Sequence, residues 1–328
     1  MNFRDKRVLV TGGAGFIGSE AVKQLLDNDA IVTVLDNFSS GKMQYLPKNK
    51  KLKVIKGDIL NETIVTKAVK DQEIVLHFAA LPFIPDSYYY PADFFKVNTV
   101  GSVNMISLSN KSRSVEVFIQ LSTSEIYGSA QYTPMDENHP TAPHSTYAVS
   151  KLAADRAAFT LHKENGFSTV IIRPFNSYGP KYTEPYIIPE IMTQLMKGNR
   201  ELTLGNVYTS RDFTFVSDTA EAILKAGLEK KAIGEIINVG SGMEVTIREL
   251  AFKIAKVAKT KIKIKYDESR ERPYDVNRLV CNNRKALEIL GWKPKTSLEK
   301  GLGITFEWTR KNKVTFSAPF KRWYYKKS

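Results

Sequence analysis

A glycine-rich turn near the start of this 328-residue chain constrains its fold more than any other feature. Residues 11–18 read TGGAGFIG, between an apolar run, RVLVT, and a helix-like stretch, SEAVKQLLDN. Glycines at positions 12, 13, 15 and 18 permit a tight turn and a close approach of the backbone to a phosphate. The N-terminus of the following helix offers free N–H groups to the same phosphate. Because the turn joins a strand to a helix, it predicts a dinucleotide-binding unit.

Apolar strands and helix-length segments alternate through the first half of the chain. IVTVLD, LKVIKGD, EIVLHFAA, VEVFIQLSTS and STVIIRP read as further strands after RVLVT. Strands that are almost wholly apolar and alternate with helices indicate a parallel sheet covered on both faces. The predicted fold class is therefore α/β, with a Rossmann doubly wound parallel sheet.

The pattern loosens from about residue 176. Loops rich in Pro, Tyr and Gly separate shorter elements, with helices predicted in residues 187–198, 217–230 and 246–259. We expect residues 1–175 to form an NAD-binding Rossmann domain. Residues 176–328 should mainly form a smaller α/β substrate-binding domain, with some segments returning to the first sheet.

Composition indicates a globular protein with a substantial core, since 42% of the residues are hydrophobic and 25% are charged. The single cysteine, Cys281, cannot form an internal disulfide, and no Cys/His cluster suggests a metal. The N-terminal residues MNFRDKRVLV do not read as a signal peptide, and no run of 18 apolar residues occurs. We expect a cytoplasmic protein without a metal site.

Positive charge is in excess, with 48 basic and 34 acidic residues giving a net charge of +14. The basic runs favour anionic partners, but no RNA-binding aromatic motif accompanies them, so solvated faces are favoured and no nucleic acid partner is expected. The tail TFSAPFKRWYYKKS mixes aromatic residues with cations. This mixture suits a bilayer interface or packing on the protein body or a second subunit, and packing is favoured because one short segment is weak evidence for a membrane.

The acid that ends the second predicted strand indicates which dinucleotide is bound. Asp36 lies eighteen residues after Gly18, where a carboxylate accepts hydrogen bonds from an adenosine ribose. A carboxylate there repels the 2′-phosphate of NADP, and Asn37 follows it rather than an arginine. The predicted cofactor is NAD.

A tyrosine and a lysine carry the chemistry in this interpretation. Tyr147 and Lys151 lie four residues apart in a predicted helix, which places both side chains on one face. An ammonium group beside the phenol, together with the positive nicotinamide ring, would lower the tyrosine pKa from its ordinary value near 10. The phenolate would take the proton of a substrate hydroxyl while hydride leaves its carbon.

The order of the motifs resembles the extended short-chain dehydrogenase/reductase family, in its NAD-dependent nucleotide-sugar epimerase/dehydratase branch. Beyond the features above, the matching segments are Gly57-Asp58, His77-Phe-Ala-Ala80, Asn98, Ser122–Gly128, Arg173–Pro180, Arg211–Val216, Asn238–Gly242, Arg272–Val276 and Leu290–Pro294. The resemblance implies cofactor-binding roles for Gly12, Gly15, Phe16, Ile17, Gly18, Asp36, Asn37, Asp58, Ile59, Ala79, Ala80, Asn98, Tyr147 and Lys151. It implies substrate-binding roles for Ser87, Tyr88, Thr123, Asn176, Arg211 and Arg272, where each arginine is alternatively a structural partner of Asp212 or Asp275.

The resemblance also implies a reaction. Members oxidise the sugar at C4 and differ in the residues after the fifth strand, which here read Thr123-Ser124-Glu125. Epimerases resemble Ser-Ser-Ala or Ser-Ser-Ser, whereas a carboxylate at position 125 is placed to remove the C5 proton and set up loss of the C6 hydroxyl. Thr123, Ser124, Glu125, Tyr147 and Lys151 are the expected catalytic residues of a 4,6-dehydratase. A loop carboxylate exposed to water is the alternative for Glu125.

The resemblance implies that the loop Leu81–Pro91 lines the sugar pocket. The sequences of this loop and of residues 173–192 are most similar to those of UDP-N-acetylglucosamine 4,6-dehydratases. Phe83 and Ile84 in the loop would give apolar room for an N-acetyl group. This similarity implies a nucleotide diphospho-sugar substrate, a 4-keto-6-deoxy product or its 5,6-ene, and cell-surface glycan biosynthesis. The family also implies a homodimer through helices near 92–111 and 145–165. A nucleotide-sugar 4-epimerase, a UDP-glucuronate decarboxylase, and a non-enzymatic NAD-sensing or RNA-binding scaffold remain alternatives.

Overall fold

The computed structural model describes residues 1–272 and 274–316, so the prediction for the tail beyond Phe316 lies outside the described residues. In these ranges, no helix combines the length and the apolar character needed to cross a bilayer. The same ranges contain no group of three or more His, Cys, Asp or Glu side chains that could hold a metal ion.

The strands fall into three sheets within the described ranges. They are β1 (Arg7–Thr11), β2 (Ile31–Asp36), β3 (Leu52–Lys56), β4 (Ile74–His77), β5 (Val117–Leu121), β6 (Thr169–Pro174), β7 (Asn176–Tyr178), β8 (Glu201–Leu204), β9 (Ser210–Phe215), β10 (Ile236–Val239), β11 (Glu244–Thr246) and β12 (Lys263–Tyr266). Seven form one parallel sheet in the order β10-β6-β5-β4-β1-β2-β3. This sheet confirms the predicted Rossmann-like α/β class.

Helices cover both faces of the large sheet and build the rest of the molecule. They are α1 (Phe16–Asp27), α2 (Glu62–Val69), α3 (Ile84–Tyr89), α4 (Pro91–Phe94), α5 (Ser102–Lys111), α6 (Thr146–Asn165), α7 (Ile187–Met196), α8 (Val216–Ala226), α9 (Ile247–Val257), α10 (Arg284–Leu290) and α11 (Leu298–Asn312). A π-helical segment, Phe95–Gly101, joins α4 to α5. The three helices predicted after residue 176 correspond to α7, α8 and α9.

Alternation along the buried strands explains why the large sheet has a core on each face. Val8 and Val10 of β1 pack with Leu25 of α1 and Ile223 of α8 on one face. Leu9, between them, belongs to the core on the other face, formed with residues of α2, α5 and α6. The strands therefore lack a solvated face, which accounts for their apolar sequences.

A smaller unit packs beside the carboxyl ends of the large sheet. Strands β11, β9 and β7 form a three-stranded sheet, and β12 pairs with β8. Helices α7, α9 and α11 contribute to its core, which includes Ile191, Leu250 and Leu302. Strand β10 lies in the large sheet and α8 packs on α1, although both follow residue 175. The division of the chain at residue 175 stays a prediction.

The strand order fixes where a ligand can bind. Strand β1 has β2 on one side and β4 on the other, so the chain reverses its direction of winding at β1. In such sheets the loops after neighbouring strands separate at this point and leave a crevice at the carboxyl ends. Gly12, after β1, and Ala79, after β4, both lie in this crevice.

Candidate active site

A cleft of about 450 Å³ lies between the carboxyl ends of the large sheet and the smaller unit. The sequence-predicted residues that line it are Gly12, Gly15, Phe16, Ile17, Gly18, Asp36, Asn37, Asp58, Ile59, Ala79, Ala80, Thr123, Ser124, Glu125, Tyr147, Lys151, Asn176, Arg211 and Arg272. Ser87, Tyr88 and Asn98 do not belong to the lining. The fold thus brings most of the predicted site residues together around one cavity.

The glycine turn lets the loops after β1 and β4 approach each other closely at the start of α1. Gly12 has a φ of +65°, and a Cβ there would lie 2.8 Å from the backbone nitrogen of Ala79. Gly15 precedes the helix in an extended conformation, and no described side chain caps the helix N-terminus. No acidic residue occupies the first turn. Close backbone approach and exposed N–H groups are what a pyrophosphate requires, so this turn fits a dinucleotide.

Asp36 holds the loop around the adenosine end of the cleft. Its Oδ2 accepts a hydrogen bond from the Ala14 N–H at 2.9 Å, and its Oδ1 accepts one from the Phe38 N–H at 2.8 Å. Asn37 donates from Nδ2 to Asp58 Oδ2 at 3.0 Å. The carboxylate at the end of β2 is therefore fixed by backbone donors and lines the cleft as an acceptor, which suits a ribose hydroxyl.

Asn98 lies behind the cleft wall and links it to the catalytic helix. Its side-chain amide bonds both to the N–H and to the carbonyl of Leu81, at 2.7 and 3.1 Å. It also donates to the Ser150 hydroxyl at 3.0 Å. Ser150 lies in α6 between Tyr147 and Lys151. Asn98 therefore holds the cleft wall at Leu81 against that helix. Sequence reasoning missed Ser150, because its role depends on a contact 52 residues away.

His77 is a buried histidine with a hydrogen-bonding neighbour at each ring nitrogen. Thr11 Oγ1 lies 2.7 Å from Nδ1, and Ser102 Oγ lies 2.9 Å from Nε2. Burial, with a smaller contribution from the Lys151 charge, lowers the pKa of His77 to about 3. The ring is therefore neutral at physiological pH.

The tyrosine–lysine pair lies at the start of α6, with both side chains buried. Burial raises the pKa of Tyr147 to about 12; the Thr123 side chain opposes this increase and Glu125 adds to it. Lys151 donates from Nζ to the Leu121 carbonyl at 2.6 Å, and burial lowers its pKa to about 8. Lys151 is not among the groups that shift the Tyr147 pKa in this structure, so a lowering by Lys151 together with the nicotinamide ring stays a prediction for the NAD-bound enzyme.

Glu125 lies in the cleft and not in solvent. Residues 124–127 form a 3-10 turn after β5, capped by Thr123 Oγ1, which accepts the Glu125 N–H at 3.2 Å. Only 9% of Glu125 is exposed. The alternative of an exposed loop carboxylate is therefore wrong. Ser124 follows Thr123 in the cleft lining and is 2% exposed.

Two arginines share one carboxylate in the cleft. Arg211 Nη2 lies 3.2 Å and Arg272 Nη1 lies 3.6 Å from Asp275 Oδ1. Burial lowers the pKa of Arg211, although Glu125 and Asp275 oppose this. For Arg272 the same two carboxylates outweigh burial and raise the pKa. Asp212, the other predicted partner, instead accepts hydrogen bonds from Ser241 and Gly242.

Three predicted substrate residues have different surroundings. Ser87 is buried and donates to the Ile84 carbonyl at 2.6 Å, so its hydroxyl is used within α3. Asn176 Oδ1 and the Tyr88 hydroxyl are buried without a hydrogen-bond partner among the described residues. Arg272, Asp275 and Glu125 all act on the Tyr88 hydroxyl, whose pKa burial raises to about 12. A buried polar atom left unpaired is unfavourable, so Asn176, which lines the cleft, is suited to a ligand, whereas Tyr88 lies outside the lining.

Tyr186 closes one side of the cleft and was not predicted. Its hydroxyl donates to the Pro82 carbonyl at 2.9 Å, and its ring packs edge-on against Phe83 with centroids 5.6 Å apart. The contact joins a loop of the smaller unit to the loop after β4. The aromatic residues of NSYGPKYTEPY are the only sequence signal for it.

Comparison with known proteins places this geometry in a family. Residues 9–305 match the family model described as GDP-mannose 4,6 dehydratase. A putative UDP-glucose 4-epimerase of Methanocaldococcus jannaschii is 32% identical over 312 residues, covering 94% of this chain and 100% of the relative. A dTDP-glucose 4,6-dehydratase of Streptomyces niveus is 33% identical over 321 residues, covering 94% of each chain.

Solved structures give the same result. A UDP-N-acetylglucosamine 4-epimerase of Methanobrevibacter ruminantium, in complex with UDP-N-acetylmuramic acid, superposes with a TM-score of 0.88 at 31% identity, covering 94% of this chain and 99% of the other. The dTDP-glucose 4,6-dehydratase of Streptomyces venezuelae, solved with NAD bound, gives a TM-score of 0.86 at 29% identity and covers 94% and 98%. The chain therefore belongs to the NAD-dependent nucleotide-sugar dehydratase and epimerase family of extended short-chain dehydrogenases/reductases.

Proposed function

We propose that this enzyme is a nucleotide-sugar 4,6-dehydratase that acts on UDP-N-acetylglucosamine. The observation that carries the proposal is the buried carboxylate of Glu125, two residues after Thr123 and in the same cleft as Tyr147. An epimerase needs no base beyond the pair that oxidises C4. A carboxylate enclosed beside that pair is suited to taking a second proton, from C5.

The residues act in sequence on the sugar. Bound NAD⁺ supplies the hydride acceptor for C4 oxidation and, in its reduced form, the hydride donor for C6. The positive nicotinamide ring of bound NAD⁺ would favour the phenolate of Tyr147 against the effect of burial. This phenolate would take the proton of the C4 hydroxyl, while Thr123 beside it holds the C4 oxygen. Lys151, anchored on Leu121, keeps a buried donor beside the reacting end of α6.

Glu125 then removes the C5 proton, which the C4 ketone has acidified. The C6 hydroxyl leaves as water, with its proton supplied by Glu125 or through Ser124, and a 5,6-ene remains. Hydride transfer to C6 would then be balanced by a solvent-derived proton at C5. Ser124 is a weak acid, so it is better suited to relaying a proton than to supplying one. This step distinguishes a dehydratase from an epimerase.

The part of the cleft that we propose binds the substrate offers cationic side chains for a diphosphate and apolar side chains for an N-acetyl group. Arg211 and Arg272 offer planar donors that suit the phosphates of a diphosphate. Phe83 and Ile84 line the cleft with apolar side chains that are 4% and 5% exposed, which suits an N-acetyl methyl group. These features support a nucleotide diphospho-sugar with an N-acetyl group. A role in cell-surface glycan biosynthesis and a cytoplasmic location stay predictions.

Proton NMR in deuterated buffer tests the reaction. Wild-type protein with NAD⁺ and UDP-N-acetylglucosamine should give a new C6 methyl signal with deuterium at C5, or a C6 methylene signal if hydride is not returned. Glu125→Gln should abolish C5 exchange and lower turnover by at least about 100-fold. The matched control is Glu137→Gln, since Glu137 bonds the Asn238 N–H away from the cleft.

Two other outcomes would contradict the dehydratase. Conversion of the substrate to its C4 epimer without deuterium at C5 would establish a 4-epimerase, the second candidate, which the similarity to solved epimerases favours. Loss of carbon dioxide from UDP-glucuronate would establish a decarboxylase.

We also propose that the enzyme is a homodimer. The surface near α5 and α6 exposes apolar side chains, with Phe95, Val100, Val103 and Val149 between 39% and 50% exposed. Clustered apolar exposure of this kind is typical of an interface. Light scattering should give a dimer mass for the wild type and a monomer mass for Val103→Lys.

A further inference from the structure

A histidine that the proposed chemistry does not use joins the start of the catalytic helix to the loop that carries Arg272. His144 is half-buried and lies just before Ser145, the residue that caps α6. Its ring stacks on the ring of Tyr274, with centroids 3.8 Å apart and 12° between the planes. Its Nδ1 lies 3.2 Å from the Asp275 carbonyl oxygen, 131 residues away along the chain. We refer to His144, Tyr274 and Asp275 as the His144 clasp.

The hydrogen bond in the clasp has only one possible direction. A backbone carbonyl can only accept, so Nδ1 of His144 carries a proton and donates it to the Asp275 oxygen. The neutral ring protonated on Nδ1 and the charged ring both make this bond. The stacked ring of Tyr274 restricts rotation of the imidazole and keeps its donor directed at the carbonyl. The clasp is therefore a fixed connection between two loops.

The turn that carries Glu125 holds His144 from a second side. Gly128 follows this turn and has a φ of +67°. A Cβ at this position would collide with the Ala142 carbonyl oxygen and would lie 3.0 Å from Cδ2 of His144. Only a glycine therefore lets the segment before α6 lie against the turn. His144 is thus positioned by the catalytic part of the site before it contacts Asp275.

Asp275 connects the clasp to the two arginines. Its Oδ1 lies 3.2 Å from Arg211 Nη2 and 3.6 Å from Arg272 Nη1. The same oxygen accepts a hydrogen bond from the Val276 N–H at 2.9 Å. The carboxylate therefore orients two guanidinium groups, while the backbone carbonyl of the same residue is held by His144. Movement of the Asp275 backbone would move the carboxylate and both arginines with it.

We propose that His144 is a positioning residue that preorganises Arg211 and Arg272 for a diphosphate. The inference rests on the proposed binding of the diphosphate by these arginines. Guanidinium groups that already have their bound orientation lose less conformational freedom when the phosphates arrive, and this raises the affinity. His144 acts through Asp275 and not on the substrate, because neither ring of the clasp lines the cleft.

Calorimetry on the NAD-loaded protein tests the proposal without turnover. The probe is whichever of UDP, dTDP and GDP binds the wild type most tightly. His144→Leu should raise the dissociation constant of the probe about 5- to 20-fold, because the hydrogen bond and the stack are lost, and should leave the affinity for NAD unchanged. His144→Asn should bind the probe at least about threefold more tightly than His144→Leu, because its amide nitrogen can donate in place of Nδ1.

The matched control is a histidine that makes the same kind of contact elsewhere in α6. His162 is also half-buried, and its Nδ1 lies 2.9 Å from the Phe167 carbonyl oxygen. It does not line the cleft. His162→Leu should therefore leave the dissociation constant of the probe within about twofold of the wild-type value.

A double-mutant cycle separates positioning from a general loss of stability. In an Asp275→Ala background no carboxylate at this position orients the arginines, so adding His144→Leu should change the constant by less than about twofold. Equal effects of His144→Leu in both backgrounds would overturn the proposal, as would no effect in the wild type or a matching loss of NAD affinity. Absence of binding by all three nucleotides would overturn it together with the role of the arginines. Failure of the dehydratase assay would leave these constants intact, so the two failures are distinguishable.

Discussion

Lys151 in α6 donates a 2.6 Å hydrogen bond from its ammonium group to the Leu121 carbonyl at the end of β5. The bond ties the catalytic helix to the strand that precedes Thr123 and Glu125. It also holds a charged group where water is excluded, and this burial lowers the pKa of Lys151 to about 8. Charge in such surroundings is retained at a cost in stability.

Lys151→Met should therefore stabilise the protein without NAD while abolishing turnover. The native pKa lies below the ordinary 10.5, so the charged lysine opposes folding at pH 7, and removing it should raise the free energy of unfolding by about 1–2 kcal/mol. Urea unfolding at pH 7 measures this change. For the wild type, stability from this group should increase as pH rises from about 8 towards 10.5, and the variant should lack that increase. A less stable variant would contradict the prediction.

Tyr147→Phe should lower turnover by about 100- to 10,000-fold, because it removes the group that we propose takes the C4 hydroxyl proton. The ring itself packs edge-on against Phe94 and is retained, so NAD should still bind. Turnover and NAD affinity are measured on the same preparation. Tyr208→Phe, at a side chain that is 80% exposed, is the control. Equal loss of NAD affinity and activity would indicate a structural role instead.

Asp36→Asn should shift the cofactor preference towards NADP. The variant keeps the shape of the side chain but removes the negative charge that repels a 2′-phosphate. We expect the preference for NAD to fall at least about tenfold in fluorescence titrations. Because Asp36 accepts from both Ala14 and Phe38, melting temperatures are needed to correct for lost stability. An unchanged preference would show that another residue selects the cofactor.

His77 should make the protein sensitive to acid. Its folded pKa of about 3 lies below the ordinary 6.5, so the stability that the neutral ring contributes is fully present above about pH 6.5. It is lost as pH falls through that window towards 3, by at most about 1.4 kcal/mol per pH unit. His77→Gln should flatten the dependence of the unfolding free energy on pH between 6.5 and 4. Parallel curves for the two proteins would refute this.

The sequence predicts the cofactor end of the site, because the residues that form it lie close together along the chain. The turn at Gly12–Gly18 and the acid at Asp36 have fixed distances from strands that hydrophobicity makes visible, so the cofactor end follows from the pattern. The large sheet follows for the same reason. Nothing local distinguishes β10, which returns to that sheet after three strands of the smaller unit.

The rest depends on contacts that only the folded chain creates. Arg211 and Asp275 meet across 64 residues, and Tyr186 meets Pro82 across 104. The spacing of Tyr147 and Lys151 places them on one face of α6 but does not reveal how deeply they are buried, and burial is what raises the Tyr147 pKa. For Ser87 the sequence resemblance implies a substrate-binding role, but its hydroxyl donates to the Ile84 carbonyl within its own helix, α3.

The shared electrostatics of Arg211 and Arg272 have a consequence for kinetics. Both guanidinium groups interact electrostatically with Glu125 as well as with Asp275, so the cations suited to the phosphates also act on the carboxylate that we propose as the C5 base. Substrate binding and the proposed proton transfer at C5 thus depend on the same two side chains. A substitution at either arginine will change kcat together with KM, and no measurement of affinity alone will describe it.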